Sequence, residues 1–373
     1  MATLHDMPAE LCAMICDDVE PEDLLTLCFI SHRFLDQSRR IIYRTADLRA
    51  CSQQASRSWS LAVTRHTQLA ERLHTLSLTL PSPHAATLGR ALSKCVNLKE
   101  LSLHHDETSA LGFASQTWII DNCPFRLTHF ANSYFKNSLL SQFWDSQTEI
   151  HVLSLPAYAG ETFPCSDIQL PNLIAVDVDT CALHAERPFQ RIQIHLTSLD
   201  DLSPLSQYSA TLTTLNLLAK PDIFNAIASL PGIVAVVGRE LPALRHFGMS
   251  YPQSKYLSNT HRFILNISLA AAAGLTRLET LVLYTYSVVA FYEVNTTMTY
   301  PLKTPADLKT FGLAIMTACP LLRQVAVGAQ MYNWPYRRKG PESTCTWTRT
   351  QSGIQWQNGT GFDFLVASKF WNP

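Results

Sequence analysis

The sequence predicts an α/β chain in three parts: an N-terminal unit of three helices, a long irregular solenoid of short strands and return segments, and a C-terminal cap. Three observations carry this. Apolar residues at helical spacing follow Pro8 and Pro21. The pattern L-x-x-L-x-L, with apolar substitutes, recurs from Leu73 to Val327. Past Gly328 it gives way to an alternation of Cys345-Trp347-Arg349 with Ile354-Trp356. The expected boundaries are 5–45 for the helical unit, 46–72 for a connecting helix, 73–333 for the solenoid and 334–373 for a capping segment with a β-hairpin.

In the helical unit each proline stands just before an apolar run, where a missing N–H costs nothing because the first helical donors have no intrahelical partner. Leu11, Ile15 and Val19 recur every four residues and share one face. Cys12 and Cys16 share a helix face and read as core. Glu22 and Asp23 place negative charge at the positive end of the second helix, which carries Leu24, Leu25, Leu27 and Ile30. Ser31 is a candidate N-cap for a third helix with Phe34, Leu35, Ile41, Ile42 and Tyr43. Some forty residues bury too little surface to be very stable alone, so the unit calls for a partner or for the rest of the chain.

The run MPAELCAMICDDVEPEDLLTLCFISHRF resembles an F-box. The usual pattern opens on Leu-Pro-x-Glu-Leu, passes through an apolar helix and a Leu-x-Pro-x-Asp-Leu-Leu turn and helix, and closes on a Val-Ser-Arg-x-Phe-like segment. Here those parts are Met7-Pro8-Ala9-Glu10-Leu11, then Ile15 and Val19, then Pro21-Glu22-Asp23-Leu24-Leu25, then Ile30-Ser31-His32-Arg33-Phe34. The chain departs from the pattern at Met7, at Val19-Glu20 and in an inserted His32; Met7 is a mild change because Met packs adaptably. The resemblance implies binding to a Skp-type adaptor and, through it, a cullin of a ubiquitin ligase. Met7, Pro8, Leu11, Ile15, Pro21, Leu24, Leu25, Ile30 and Phe34 are then the adaptor-binding residues, and the following domain selects the substrate. The competing reading is a helical cap that seals the end of a repeat domain. The coincidence of so many motif positions in order favours the resemblance.

The composition is 47% hydrophobic and 16% charged, with 29 basic and 30 acidic residues, which makes the chain globular and nearly neutral. Neither nucleic acid nor an anionic membrane is expected as a partner of such a chain. The first residues lack a basic stretch followed by an apolar core, so no signal peptide is read there. The longest apolar run, Phe263 to Leu275, is interrupted and too short to span a bilayer. Ten scattered cysteines without a C-x-x-C are expected as reduced thiols. The expected location is therefore the cytoplasm or nucleus.

The repeat is countable: Leu73-Leu76-Leu78, Leu98-Leu101-Leu103, Leu127-Phe130 with Asn132, Ile150-Leu153-Leu155, Leu173-Val176-Val178, Phe189-Ile192-Ile194, Leu212-Leu215-Leu217, Leu244-Phe247-Met249, Leu278-Leu281-Leu283 and Leu322-Val325-Val327. Successive starts are 16 to 44 residues apart. This is the signature of a leucine-rich-repeat-like solenoid, irregular and widely spaced. Period-two alternation turns the apolar residues inward and leaves those between them on the inner curve. Segments 87–95 and 308–319 read as helical returns. The Asn or Cys usual three residues past the last Leu is matched only by Cys181, so most turns must close in another way. Beyond Gly328, Asn333 to Ser343 reads as a basic loop. Phe362 to Trp371 are expected to dock on the last repeat, covering the apolar end that a solenoid must close.

No phosphate-cradling, dinucleotide or nucleophile-elbow motif is present, and no cofactor is called for. His104-His105 are adjacent on a strand and point to opposite faces, which makes them poor metal co-ligands. The inner-curve residues are polar, among them Ser102, Ser154, Gln193, Asn216 and His246. Asp177 and Asp179 share a face with Arg191 and His195, and these four are the expected substrate-binding residues. The expectation is thus a non-catalytic substrate-recognition adaptor of a Skp-cullin-F-box ubiquitin ligase that captures a protein substrate. The alternative is a repeat scaffold with no ligase role. An unrecognised hydrolase would need a convergent polar pocket.

Overall fold

The computed structural model describes residues 7–19, 21–49, 51–80, 82–105, 116–156, 163, 165–166, 168–183, 187–219, 230–251, 275–285, 290–292, 299–301, 305–333, 338–359 and 364–371. The chain is mixed α/β and divides into two compact units, Met1–Tyr158 with Pro164–Leu173, and Ala159–Phe163 with Ile174–Pro373. Among the described residues, five laddered strands follow one another in chain order in the first unit and eight in the second. Most of the run 263–275 lies outside the described residues. Among those described, no helix is long and apolar enough to cross a membrane.

The first unit opens with α1 (Ala9–Asp18), α2 (Pro21–Leu27) and α3 (His32–Ile42). They enclose Cys12, Cys16, Leu24 and Phe34, against which Met7, Val19, Leu27, Ile41 and Ile42 pack. Ser31 caps α3 as expected, its hydroxyl accepting from the Phe34 N–H. Residues 46–72 are not one connecting helix. They hold a strand, β1 (Thr45–Asp47), and two helices, α4 (Gln53–Arg65) and α5 (Thr67–Arg72), because β1 completes the edge of the next strand. Four parallel strands follow: β2 (Thr75–Leu80), β3 (Glu100–His105), β4 (His129–Asn132) and β5 (Val152–Ser154). The register sets Leu76, Leu101, Phe130 and Leu153 in one row. The returns include α6 (Ala85–Leu92) and α7 (Ser141–Ser146).

The second unit continues with β6 (Ala175–Asp177), β7 (Arg191–Leu196), β8 (Thr214–Ala219), β9 (His246–Tyr251) and β10 (Thr280–Thr285). A small separate hairpin, β11 (Ala290–Tyr292) with β12 (Thr299–Pro301), precedes β13 (Gln324–Asn333). Val176, Ile192, Leu215, Phe247, Leu281 and Val325 form one row. Helices α8 (Leu230–Glu240) and α9 (Pro305–Ala318) are the long returns. Then the direction reverses: β14 (Arg338–Thr350) pairs antiparallel with β13, and β15 (Gly353–Gly359) with β14. The expected loop at 333–343 is therefore shorter, since Arg338, Lys339, Gly340 and Pro341 already belong to β14. Gly353, at φ 119, takes the left-handed position of the hairpin turn that an L side chain resists.

The backbone shows how the turns close. Before β1 to β4 and before β6 to β10, the residue preceding the strand offers its carbonyl to two N–H groups of the next strand's entry. In the first unit Arg44 O receives His74 and Thr75, His74 O receives Lys99 and Glu100, Lys99 O receives Thr128 and His129, and Thr128 O receives His151 and Val152. In the second the series runs from Ile174 O, receiving Gln190 and Arg191, to Glu279 O, receiving Arg323 and Gln324. All these bonds lie between 2.7 and 3.1 Å. Asn132 closes the turn after β4 with its side chain, accepting from Tyr134 N (3.1 Å) and Phe135 N (2.8 Å) and donating to Phe135 O (2.8 Å). Cys181 has no such place: it is exposed in a single 3-10 turn, Thr180–Ala182.

The C-terminal segment does not dock on the last repeat, where the β14–β15 hairpin already pairs. Its one-turn helix α10 (Phe364–Ala367) and the residues up to Trp371 lie on the polar face of β7 to β10.

Candidate functional site

Two surfaces carry the expected site residues, one in each unit. On the helical unit, Leu11, Met14, Ile15, Leu25, Phe29 and Ile30 are exposed, Phe29 to 90%. Single exposed apolar side chains are ordinary, but six within twenty residues of a small unit are not. Beside them Cys28 to Arg33 and Leu35 line an open concavity of about 530 Å³. Arg33 Nη1 donates to Met7 O (2.5 Å) and holds the entry of α1 against α3.

Of the expected adaptor-binding residues, Pro8, Leu11, Ile15, Leu25 and Ile30 lie on this surface. Leu24 and Phe34 do not; at 1% and 2% exposure they are core and hold the helices together. Met7 is half-buried against that core. Pro21 opens α2, and its side chain is outside the described residues. The sequence reading missed Met14 and Phe29. Leu24 and Leu25 were indistinguishable because adjacent helical residues diverge by about 100° and either one can face in.

On the second unit, Asp177, Gln193 and Asn216 stand opposite one another on β6, β7 and β8, with Gly248 next on β9. Arg191 and His195 lie two residues to either side of Gln193. Asp177 therefore faces Gln193 rather than Arg191, and Asp179 lies past the end of β6. Asn216, expected on a solvated curve, is 0% exposed; Asp177 is 3% and Arg191 5% exposed. The C-terminal segment explains this for Arg191 and Asn216. Arg191 Nη1 donates to Phe370 O (2.6 Å) and Trp371 O (3.1 Å). Asn216 Nδ2 donates to Ser368 Oγ (2.8 Å) and Gln193 Oε1 (3.1 Å). A Cβ at Gly248 would collide first with Asn216 Oδ1 and would lie 2.9 Å from the Phe364 ring and 3.0 Å from Ser368 Cβ, so the glycine makes room for the Asn216 amide and for the segment together. A glycine inside a strand marks such an approach, and it was the one sequence signal for this contact. His195 and Asp179 remain half-buried at the rim.

No group of three or more His, Cys, Asp or Glu among the described residues is placed to hold a metal ion. His105 stacks on Tyr134, with centroids 6.0 Å apart. Burial pulls the His104 imidazole below its usual 6.5, aided by Arg49 and opposed by Asp47. Burial does the same to His246, opposed by Glu279 and aided by Arg245 and Lys369. A base whose folded pKa is depressed leaves stability intact above about 6.5 and loses it as pH falls from there towards the folded value. The urea midpoint should therefore drop between pH 7 and pH 5, and the double variant His104→Gln, His246→Gln should show a smaller drop. An identical pH slope in the two proteins would rule out these imidazoles as its source.

No protein-family model matches the chain, and no curated protein matches it significantly.

Proposed function

We propose that the chain is a non-catalytic substrate-recognition adaptor of a Skp-cullin-F-box ubiquitin ligase, acting in the cytoplasm or nucleus. In this reading the N-terminal helices are an F-box that holds a Skp-type adaptor and, through it, a cullin. The ladder behind them is a leucine-rich-repeat-like solenoid that selects a protein substrate. The observation that carries it is the exposed apolar surface of Leu11, Met14, Ile15, Leu25 and Phe29, which falls on the stretch that resembles the F-box. Burying such side chains against a partner is worth about 1.5–3 kcal/mol each when complete.

The test is a one-to-one complex with a purified Skp-type adaptor. Leu11 is 47% exposed, so Leu11→Asp should leave the melting curve unchanged. It should weaken the complex at least about tenfold, or ~1.4 kcal/mol, by placing a carboxylate in an apolar contact. Wild-type chain that never co-elutes with any such adaptor would defeat the ligase reading. That outcome would leave standing the second reading, a repeat scaffold with no ligase role.

A further inference from the structure

We propose that the polar strip of β7 to β9 is a peptide-binding groove. Its resident ligand is the chain's own segment 364–371, and its partner is a protein segment of the same chemistry: a small hydroxyl residue, one intervening residue, then two aromatics. This rests on the reading of the second unit as the substrate-capturing part and names the class of substrate.

The groove holds the segment through polar groups as well as through the buried Phe370. A guanidinium grips two successive main-chain carbonyls, Phe370 O and Trp371 O, and an amide grips the Ser368 hydroxyl. Ser368 and Phe370 are 0% exposed. Main-chain capture is indifferent to side-chain identity, whereas a buried aromatic and a buried hydroxyl read it. The strip also differs from a structural seam. An apolar face uncovered by loss of its cap has nothing to offer water, but Arg191, Gln193 and Asn216 all hydrate when the segment leaves. Lys369 sits at φ 59, an uncommon conformation for a side chain other than glycine, and release of the segment frees it. The contacts made by 364–371 on this strip are those an incoming segment must replace.

The probe is a fluorescent synthetic peptide of residues 364–373, added to the full chain. Wild type should bind it weakly, because its own segment competes. Phe370→Asp, which weakens only the resident segment, should bind it at least tenfold more tightly. Adding Arg191→Ala to that variant should abolish binding, and a peptide carrying Ser368→Ala and Phe370→Ala should fail on every chain. Hydrogen exchange on the wild type needs no variant. The amides of 364–371 should exchange at least tenfold faster than those of β7 to β9, since the segment opens without the sheet.

Exchange of both at one rate, a Phe370→Asp chain that does not fold, or a folded one that ignores the peptide would each overturn the proposal. So would a concentration-dependent wild-type dimer that trades segments between copies. Adaptor binding is scored on the same samples. Lost peptide binding with adaptor binding intact removes only the groove, and the reverse removes only the ligase reading.

Discussion

Trp347→Ala is expected to lower the stability of the second unit by about 3–5 kcal/mol, the usual cost of emptying a buried aromatic site. Trp347 is 0% exposed. It lies on β14 between Val325 of β13 and Trp356 of β15, and Gly312 of α9 packs directly on its indole. A Cβ at Gly312 would fall inside the van der Waals envelope of that ring. Gly312→Ala should thus destabilise by about 1–3 kcal/mol through overpacking, although Ala is the better helix former. Arg349, two residues on, clamps the same helix. Its guanidinium donates to Met316 O in the last turn of α9 and to Leu322 O at 3.0 Å. Urea melts followed by far-ultraviolet circular dichroism give both values. A Gly312→Ala chain more stable than wild type would show that the helix stands off the indole.

Asn132 carries the second large effect. It occupies the position where the repeat pattern calls for leucine, in register with Leu103, and it is 3% exposed. Its amide satisfies two N–H groups and one carbonyl of the turn at Tyr134 and Phe135, whose side chains are themselves buried. Asn132→Ala leaves those groups without partners, at about 1–3 kcal/mol for each buried one. The loss should be on the order of 3 kcal/mol in total. Asn132→Leu restores the pattern and the apolar row, yet it should also destabilise, because leucine offers the turn nothing. If the leucine variant matched or exceeded wild type in a urea melt, the turn would not depend on the amide.

The rows of the ladder were legible because period-two alternation leaves little choice of face. Leu101, Leu153, Leu215 and Leu281 are all inside, and so are Leu127 and Phe189. Other features could not be read. Thr45-Ala46-Asp47 has no apolar alternation, and its strand exists because β2 offers an edge. The place of the C-terminal aromatics depends on room made by Gly248 and on the reach of Arg191. Both are facts of three-dimensional proximity that a linear pattern does not contain. The choice of Leu24 over Leu25 as core likewise follows from which helix face meets α3.

The order of the strands also sets a timetable. Gln193 and Asn216, side by side in the ladder, are 23 residues apart in the chain. Ser368 lies 152 residues beyond Asn216, and Phe370 lies 179 beyond Arg191. A ladder of near neighbours closes its contacts early and assembles from the N-terminal side as the ribosome delivers it. The segment that fills the strip is made only after all the strands it covers. At roughly 5–20 residues per second of synthesis, the strip stands assembled and vacant on the nascent chain for on the order of ten seconds. During that interval a segment supplied by another protein meets no competitor.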